Sequence, residues 1–423
     1  MTIALLLLLG SLLPQDPPTP SQAAAVIAAA HRLVADDGGR LWGRSLAGPL
    51  LIVDRESGVT YASEPDSAGR FTPIDGVYRG RLPEAINPAN TAVEYSGRLW
   101  TMVLWPVPDD PAVRRELLAH ELWHRIQRSL DLPPVSTNNP HLDTESGRIW
   151  FRLEARALAV ALRASGKERQ AALEDALIFR AARTGLDAAR DSAESALERN
   201  EGLAEYTGYR LSGRPAADQR DRAAAALKRM ETGASIGRSF AYATGPAYGL
   251  LLDALRPGWR IELRSGASLT SLVARSVGRI RGGPVPTSVE VRYGGEEIRR
   301  AEAEREAKRV ARVRELTDRY VIGPVLRIPL EKSEIGFDPG RVESLDSAGT
   351  VYGGARLSDA WGVLDATGSA AWVAGNWQLV TVPVDDSFDP ARPAGPGWQL
   401  NLAAGYEVVR DPNRPGWLVR RKQ

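Results

Sequence analysis

The chain has 423 residues, 43% of them hydrophobic and 11 of them Trp, which is enough to bury a sizeable core and too long for one average domain. Its formal net charge of +2 points to neither a nucleic-acid nor a membrane-surface partner. Cysteine is absent, which excludes disulfides, thiolate metal ligands, a thiol nucleophile and a lipidated N-terminal cysteine.

Residues 3–13 form a short apolar run, followed at 14–20 by a polar, proline-rich stretch. Spanning a bilayer takes about 20 apolar residues, so the run reads instead as a signal-peptide core, although a basic segment before it and a clear small-x-small cleavage site are missing. The expectation is export, to the periplasm or the medium, without stable membrane insertion. Residues 22–35 are alanine-rich and helix-like, with His31 as a structural histidine. From Pro49 the pattern turns to strands at 50–53 and 59–62, separated by the turn-like Glu56-Ser57-Gly58. The runs at 91–95 and 99–105 flank Ser96-Gly97 and read as a hairpin.

The next segment holds His120-Glu121-Leu122-Trp123-His124. Asp109 and Asp110 suit a helix N-cap and Pro111 the first turn, while Val113, Leu117, Leu118, Leu122 and Ile126 recur at helical spacing until Leu132-Pro133-Pro134. On a helix, residues four apart share a face, so His120 and His124 can aim both imidazoles at one cation. Glu121 is offset by roughly one hundred degrees, beside the metal, where it can take a proton from a water. The segment therefore reads as the Zn2+-binding helix of a hydrolase.

Such a zinc site needs one more protein ligand. With no Cys, and only His31 and His141 left among the four histidines, an Asp or Glu is expected. His141 and Asp143 fall in a polar loop at 137–146, where the histidine is expected to be incidental. In the helix at 149–164, Glu154 shares a face with Phe151, Leu158 and Leu162 and so needs a partner, either a metal or an arginine such as Arg152 or Arg156. Another amphipathic helix covers 168–183. Then Glu194, Glu198, Glu201 and Glu205 form an acidic series in which Glu201 precedes Gly202. A solvated acidic face is the plain alternative there. Glu201, Glu154 and Glu205 are the candidate third ligands.

The segment Asn200-Glu201-Gly202-Leu203-Ala204-Glu205-Tyr206 resembles the Asn-Glu-Gly-(aromatic/Leu)-Ala segment of gluzincin metallopeptidases, the superfamily of thermolysin and the aminopeptidase-N-like enzymes. The sheet leading into a His-Glu-x-x-His helix is similar to the zincin arrangement, in which an edge strand pairs with extended peptide substrate. The resemblance implies that Glu201 is the third ligand. Phe240-Ala241-Tyr242-Ala243-Thr244-Gly245-Pro246 is similar to the family's Tyr-x-x-Gly segment, implying that Tyr242 hydrogen-bonds the developing oxyanion, with Tyr248 its competitor. The likeness covers residues 90–255 at three short motifs. It departs from the aminopeptidases in the longer stretch between His124 and Glu201 and in lacking a Gly-x-Met-Glu-Asn motif for a free α-amine.

Residues 250–255 continue an apolar helix, 282–286 break the chain, and 296–320 form a charged, solvated helix with pairs such as Glu304 and Lys308. From about Val325, alternating runs at 375–382 and 397–402 between Gly/Pro/Asp turns read as an antiparallel β domain. There Trp398, Leu400 and Leu402 alternate onto one face, so Trp361, Trp372, Trp377, Trp398 and Trp417 are expected in a core rather than on a carbohydrate platform. The fold expected is α+β, with a signal peptide and linker at 1–20, a zincin-like catalytic domain at 21–322 and a β domain at 323–423. The function expected is zinc-dependent hydrolysis of a peptide or protein substrate. The alternatives are a metal-stabilised envelope binding protein and a zinc hydrolase of non-peptide amides or esters.

Overall fold

Helix α1 (Pro20–Asp37) starts at a capping box in which Thr19 Oγ1 accepts from the Gln22 backbone and the Gln22 side chain accepts from Thr19 N–H. The computed structural model describes residues 16–422 apart from 84, 186, 279–283 and 339–340. The apolar run at 3–13 lies outside the described residues, and the break at 282–286 lies partly outside them. His31 is exposed on α1.

The apolar run after Pro49 becomes β1 (Leu50–Asp54), buried throughout. Successive strand residues face opposite sides, and both sides are covered. Leu50 and Ile52 join the main helical core, whereas Leu51 and Val53 join a second core with Tyr95, Trp100 and Met102. With β2 (Thr60–Ala62), β3 (Thr72–Ile74), β4 (Val77–Gly80), β5 (Thr91–Tyr95) and β6 (Arg98–Trp105), β1 forms a six-stranded sheet in the order β3-β4-β2-β1-β6-β5. Its pairs are antiparallel except β1 with β6, where Leu51 lies opposite Met102. The strands β3 and β4 are short, partly exposed and interrupted by Pro73 and Gly76, so no alternation marks them in the sequence.

From β6 the chain enters α2 (Pro111–Ile126), where Asp110 Oδ1 accepts from the Ala112 and Val113 N–H groups at 2.8 and 2.9 Å. Leu118, Leu122, Trp123 and Ile126 are buried. Then follow α3 (Glu145–Arg163), α4 (Gly166–Thr184), α5 (Ala188–Leu197), a π-helical turn (Glu198–Gly202), α6 (Leu203–Leu211), α7 (Ala216–Met230) and α8 (Ala241–Leu255). The shorter α9 (Trp259–Arg264), α10 (Leu269–Val277) and α11 (Thr287–Arg292) precede the long α12 (Gly295–Thr317).

Two glycine crossings pack α6 and the π-turn between α2 and α8. A Cβ on Gly208 would meet the Glu116 carbonyl oxygen at 2.8 Å. A Cβ on Gly245 would meet the Gly202 carbonyl carbon and oxygen at 2.6 and 2.7 Å, so these helices touch backbone to backbone. This approach places the residues flanking Gly202 and Gly245 against each other.

The chain divides into two compact units, 1–302 and 303–423. The division lies inside α12, earlier than the 322/323 boundary suggested by the change of pattern. The reason is packing: Leu316 and Tyr320 share a core with Leu345, Val351 and Trp372. The second unit carries β7 (Val325–Pro329), β8 (Glu334–Gly336), β9 (Val342–Ser344), β10 (Gly349–Asp359), β11 (Gly362–Ala374), β12 (Leu379–Pro383), β13 (Ala394–Gly395), β14 (Trp398–Leu402), β15 (Tyr406–Arg410) and β16 (Gly416–Arg421). The sheet is antiparallel with one exception. β7 gives one edge to β12 and takes β16 on the other in parallel. Trp361, Trp372 and Trp398 are buried, and Leu400 packs beside Trp398, as the alternation implies. Trp377 departs from that expectation: it sits in a turn at φ 56° and is half exposed.

The Gly202–Gly245 contact is testable. Gly245→Ala should lower stability by about 1–3 kcal/mol through overpacking. Gly336→Ala, whose added methyl meets no atom of the described residues within 4 Å, should stay within about 0.5 kcal/mol of wild type. Urea midpoints of the two variants check this.

Candidate metal centre

The spacing of His120 and His124 on α2 brings their Nε2 atoms to 3.1 Å. Glu201, on the π-turn, places Oε2 3.5 Å from each of them. A tetrahedral zinc with bonds of 2.0–2.1 Å separates its ligand atoms by roughly 3.4 Å. The three edges therefore suit one small cation. Among the described residues, these groups have ligand atoms all within 4.8 Å of one another.

The surrounding hydrogen bonds determine what these atoms offer. Ionised Glu201 can only accept, so Asn200 must donate Nδ2–H to Glu201 Oε1, at 3.0 Å. That leaves Asn200 Oδ1 to accept from Gln127 Nε2, also at 3.0 Å. Gln127 Oε1 in turn accepts from His124 Nδ1 at 2.7 Å, so the His124 proton sits on Nδ1 and Nε2 carries a lone pair. His120 is set likewise, its Nδ1 lying 3.0 Å from Glu205 Oε2. Two imidazole lone pairs and a carboxylate oxygen thus converge, a donor set that could hold a metal ion.

Without a metal, a proton has to take that place. Burial works against the charge on His120, but its bonds to Glu201 and Glu205 hold its pKa well above the ordinary histidine value. Burial likewise opposes ionisation of Glu201, yet the two histidines hold its carboxyl far below the usual range.

Glu121 is buried, and among the described residues its Oε2 has no hydrogen-bond partner. Burial raises its pKa, against the pull of His120 and His124. Tyr242 reaches the same point from α8. Its ring stacks on His120 at 5.8 Å between centroids, and its hydroxyl donates to Glu201 Oε2 at 2.6 Å. Burial and the neighbouring Glu201 push that hydroxyl well above its ordinary pKa, so it remains a proton-bearing donor.

The other candidates lie elsewhere. Glu154 is buried against Arg183, with Tyr248 O–H donating to Glu154 Oε1 at 2.6 Å. Its arginine is therefore Arg183 from α4 rather than Arg152 or Arg156, which pair with Glu302 and Glu231. Arg152 and Arg156 share the helix of Glu154 but turn to Glu302 and Glu231 instead. His141 Nε2 lies 2.6 Å from Glu194 Oε1, away from the histidine pair, and Tyr248 is spent on Glu154. Glu205 orients His120. The acidic series is not a solvated face, since Glu194 and Glu198 are fully buried. No spacing in the sequence marks Gln127 and Asn200 as a relay, although Gln127 follows His124 by one helical turn and Asn200 precedes Glu201.

No protein-family model matches the chain, and no curated protein or solved structure is significantly similar to it.

The metal-free site has a defined pH response. The lowered pKa of Glu201 gives a stabilisation that is full above the unfolded value of about 4.3 and lost as pH falls towards the depressed folded value. The raised pKa of His120 gives one that is full below about 6.5 and lost as pH rises through the folded value. Thermal midpoints of metal-free protein should therefore fall on both sides of mildly acidic pH. Glu201→Gln should flatten both arms.

Proposed function

We propose that this chain is a zinc-dependent metallopeptidase whose first unit is a zincin-like catalytic domain with a gluzincin-type site. The observation that carries the reading is the convergence of His120 Nε2, His124 Nε2 and Glu201 Oε2 beside the unpartnered Glu121 carboxylate oxygen. The fold of the first unit is in keeping with it. Helix α2 packs against β5 and β6, and β5 is an outer strand of the sheet, available to an extended peptide by strand addition. The apolar run at 3–13 supports export.

Zinc held by these three groups supplies Lewis acidity, lowering the pKa of a water towards about 7 and polarising a carbonyl. The residues of the chain manage the proton. Glu121, whose burial raises its proton affinity, takes one proton from the attacking water as oxygen bonds to the scissile carbon. It returns that proton to the amide nitrogen as the C–N bond breaks. Tyr242 turns its O–H from Glu201 to the developing oxyanion, a contact worth roughly 3 kcal/mol. Glu205 and the Gln127–Asn200 pair keep the imidazoles in the tautomer that presents Nε2.

Two measurements test the reading. Metal analysis by mass spectrometry should find stoichiometric zinc in wild type and its loss in Glu201→Ala, whereas Glu154→Ala should impair folding rather than remove a ligand. Wild-type protein that takes up no zinc on reconstitution would sink the proposal. In peptide hydrolysis, Glu121→Gln should retain zinc and lose at least about 100-fold in kcat. Equal activity in that variant rules out the role given to Glu121, and hydrolysis of small esters but no peptide would move the substrate class.

A further inference from the structure

Four glutamates at 194, 198, 201 and 205 are spaced by four, three and four residues, which on an uninterrupted α-helix makes a single stripe. In the folded chain they face two ways. Glu194 and Glu198 turn to arginines of α4, whereas Glu201 and Glu205 turn to the histidines of α2. The division falls at the π-turn, where the Leu203 N–H reaches the Glu198 carbonyl five residues back. One extra residue in a turn rotates the helix beyond it by roughly 100°. Glu198 is the first residue of that turn, and Glu201 is the fourth.

Glu198 is fully buried and bridges two other helices. Its Oε1 accepts from Arg180 Nη1 of α4 at 2.9 Å and from Thr244 Oγ1 of α8 at 2.7 Å, while Arg180 Nη2 reaches Oε2 at 3.3 Å. Thr244 is flanked by the groups that define the site from α8: Tyr242 two residues before it bonds Glu201, and Gly245 beside it touches Gly202. Arg180 is itself held by Glu194 at 3.1 Å.

We infer that the Arg180–Glu198–Thr244 bridge is a positioning device for the metal centre, locking the π-turn in the register that points Glu201 at His120 and His124. The inference rests on the metallopeptidase reading only in taking Glu201 as a ligand. The three residues touch neither metal nor substrate; they act through the backbone of the turn. Without the bridge, the five-residue turn can relax to α-helical register, which swings Glu201 away from the histidine pair.

The test compares Thr244→Val and Glu198→Gln with Tyr248→Phe in the full chain. Tyr248→Phe removes a hydrogen bond to Glu154 in the same buried charge network and leaves the hydrogen bonds from Arg180 and Thr244 to Glu198 in place. Zinc affinity is measured by chelator competition, coordination by the visible spectrum of the cobalt-substituted protein, and stability by thermal midpoint. Thr244→Val should weaken zinc about tenfold and alter the cobalt spectrum, and Glu198→Gln should do so more strongly. Tyr248→Phe should lower the midpoint and keep both metal readouts. Wild-type affinity and spectrum in Thr244→Val overturn the inference, and this variant decides it if Glu198→Gln fails to fold. Equal metal loss in Tyr248→Phe overturns it too, because generic destabilisation then explains the effect. Absence of zinc from wild type is a different result, which removes the metal reading itself.

Discussion

Three lone-pair-bearing atoms held 3.1 to 3.5 Å apart in a buried place form an arrangement that costs free energy unless a cation or a proton lies among them. The surroundings of the site can be understood from that constraint. Glu205 and the Gln127–Asn200 pair hold protons on the outward nitrogens, which keeps both inward nitrogens bare. The charge on Glu201 sets the polarity of the amide relay, so one member of the cluster determines the tautomer of another through two neutral side chains. Glu121 and Tyr242, one a carboxylate with a free oxygen and the other an obligate donor, complete the centre with opposite hydrogen-bonding characters.

Converging groups from α2, the π-turn and α8 requires helices closer than ordinary side chains allow. Glycine at 202, 208 and 245 removes the Cβ atoms that would hold them apart. Behind the turn, Arg180 and Arg183 sit among Glu154, Glu194 and Glu198, all buried. A buried ion network of this kind adds little net stability over an apolar core, but breaking one member is costly. Its value lies in geometry: guanidinium forks accept few arrangements of carboxylates, and the helices bearing them are correspondingly fixed.

Much of this organisation is readable before folding. The Asp110 cap, Pro111 and the apolar period place α2, and His-Glu-x-x-His places two imidazoles and a carboxylate on it. The β1–β2 pair and the β5–β6 hairpin also follow from short apolar runs set apart by turn residues, and the burial of Trp398 and Leu400 follows from local alternation. Other features are not local. Helical spacing offers Glu154 the arginines of its own helix, and its partner instead comes from α4. The glutamate series reads as one stripe because a π-turn leaves no mark in residue spacing, and the amide relay joins residues far apart in the chain. The edge strand β3 and its neighbour β4 depend on pairing, β3 with β4 and β4 with β2, rather than on any pattern of their own.

The sequence by itself determined the chemical inventory of the centre: which helix carries the histidines, the glutamate beside them, the absence of thiolate ligands and the α+β class. Those properties depend on helical period, capping and composition, which act over a few residues. Tertiary structure alone decided which of Glu154, Glu201 and Glu205 faces the two inward Nε2 atoms and which only orients or neutralises a neighbour. Carboxylates are alike in sequence and differ by where they are buried and what faces them. The phase of the π-turn and the glycine crossing with α8 settle that difference.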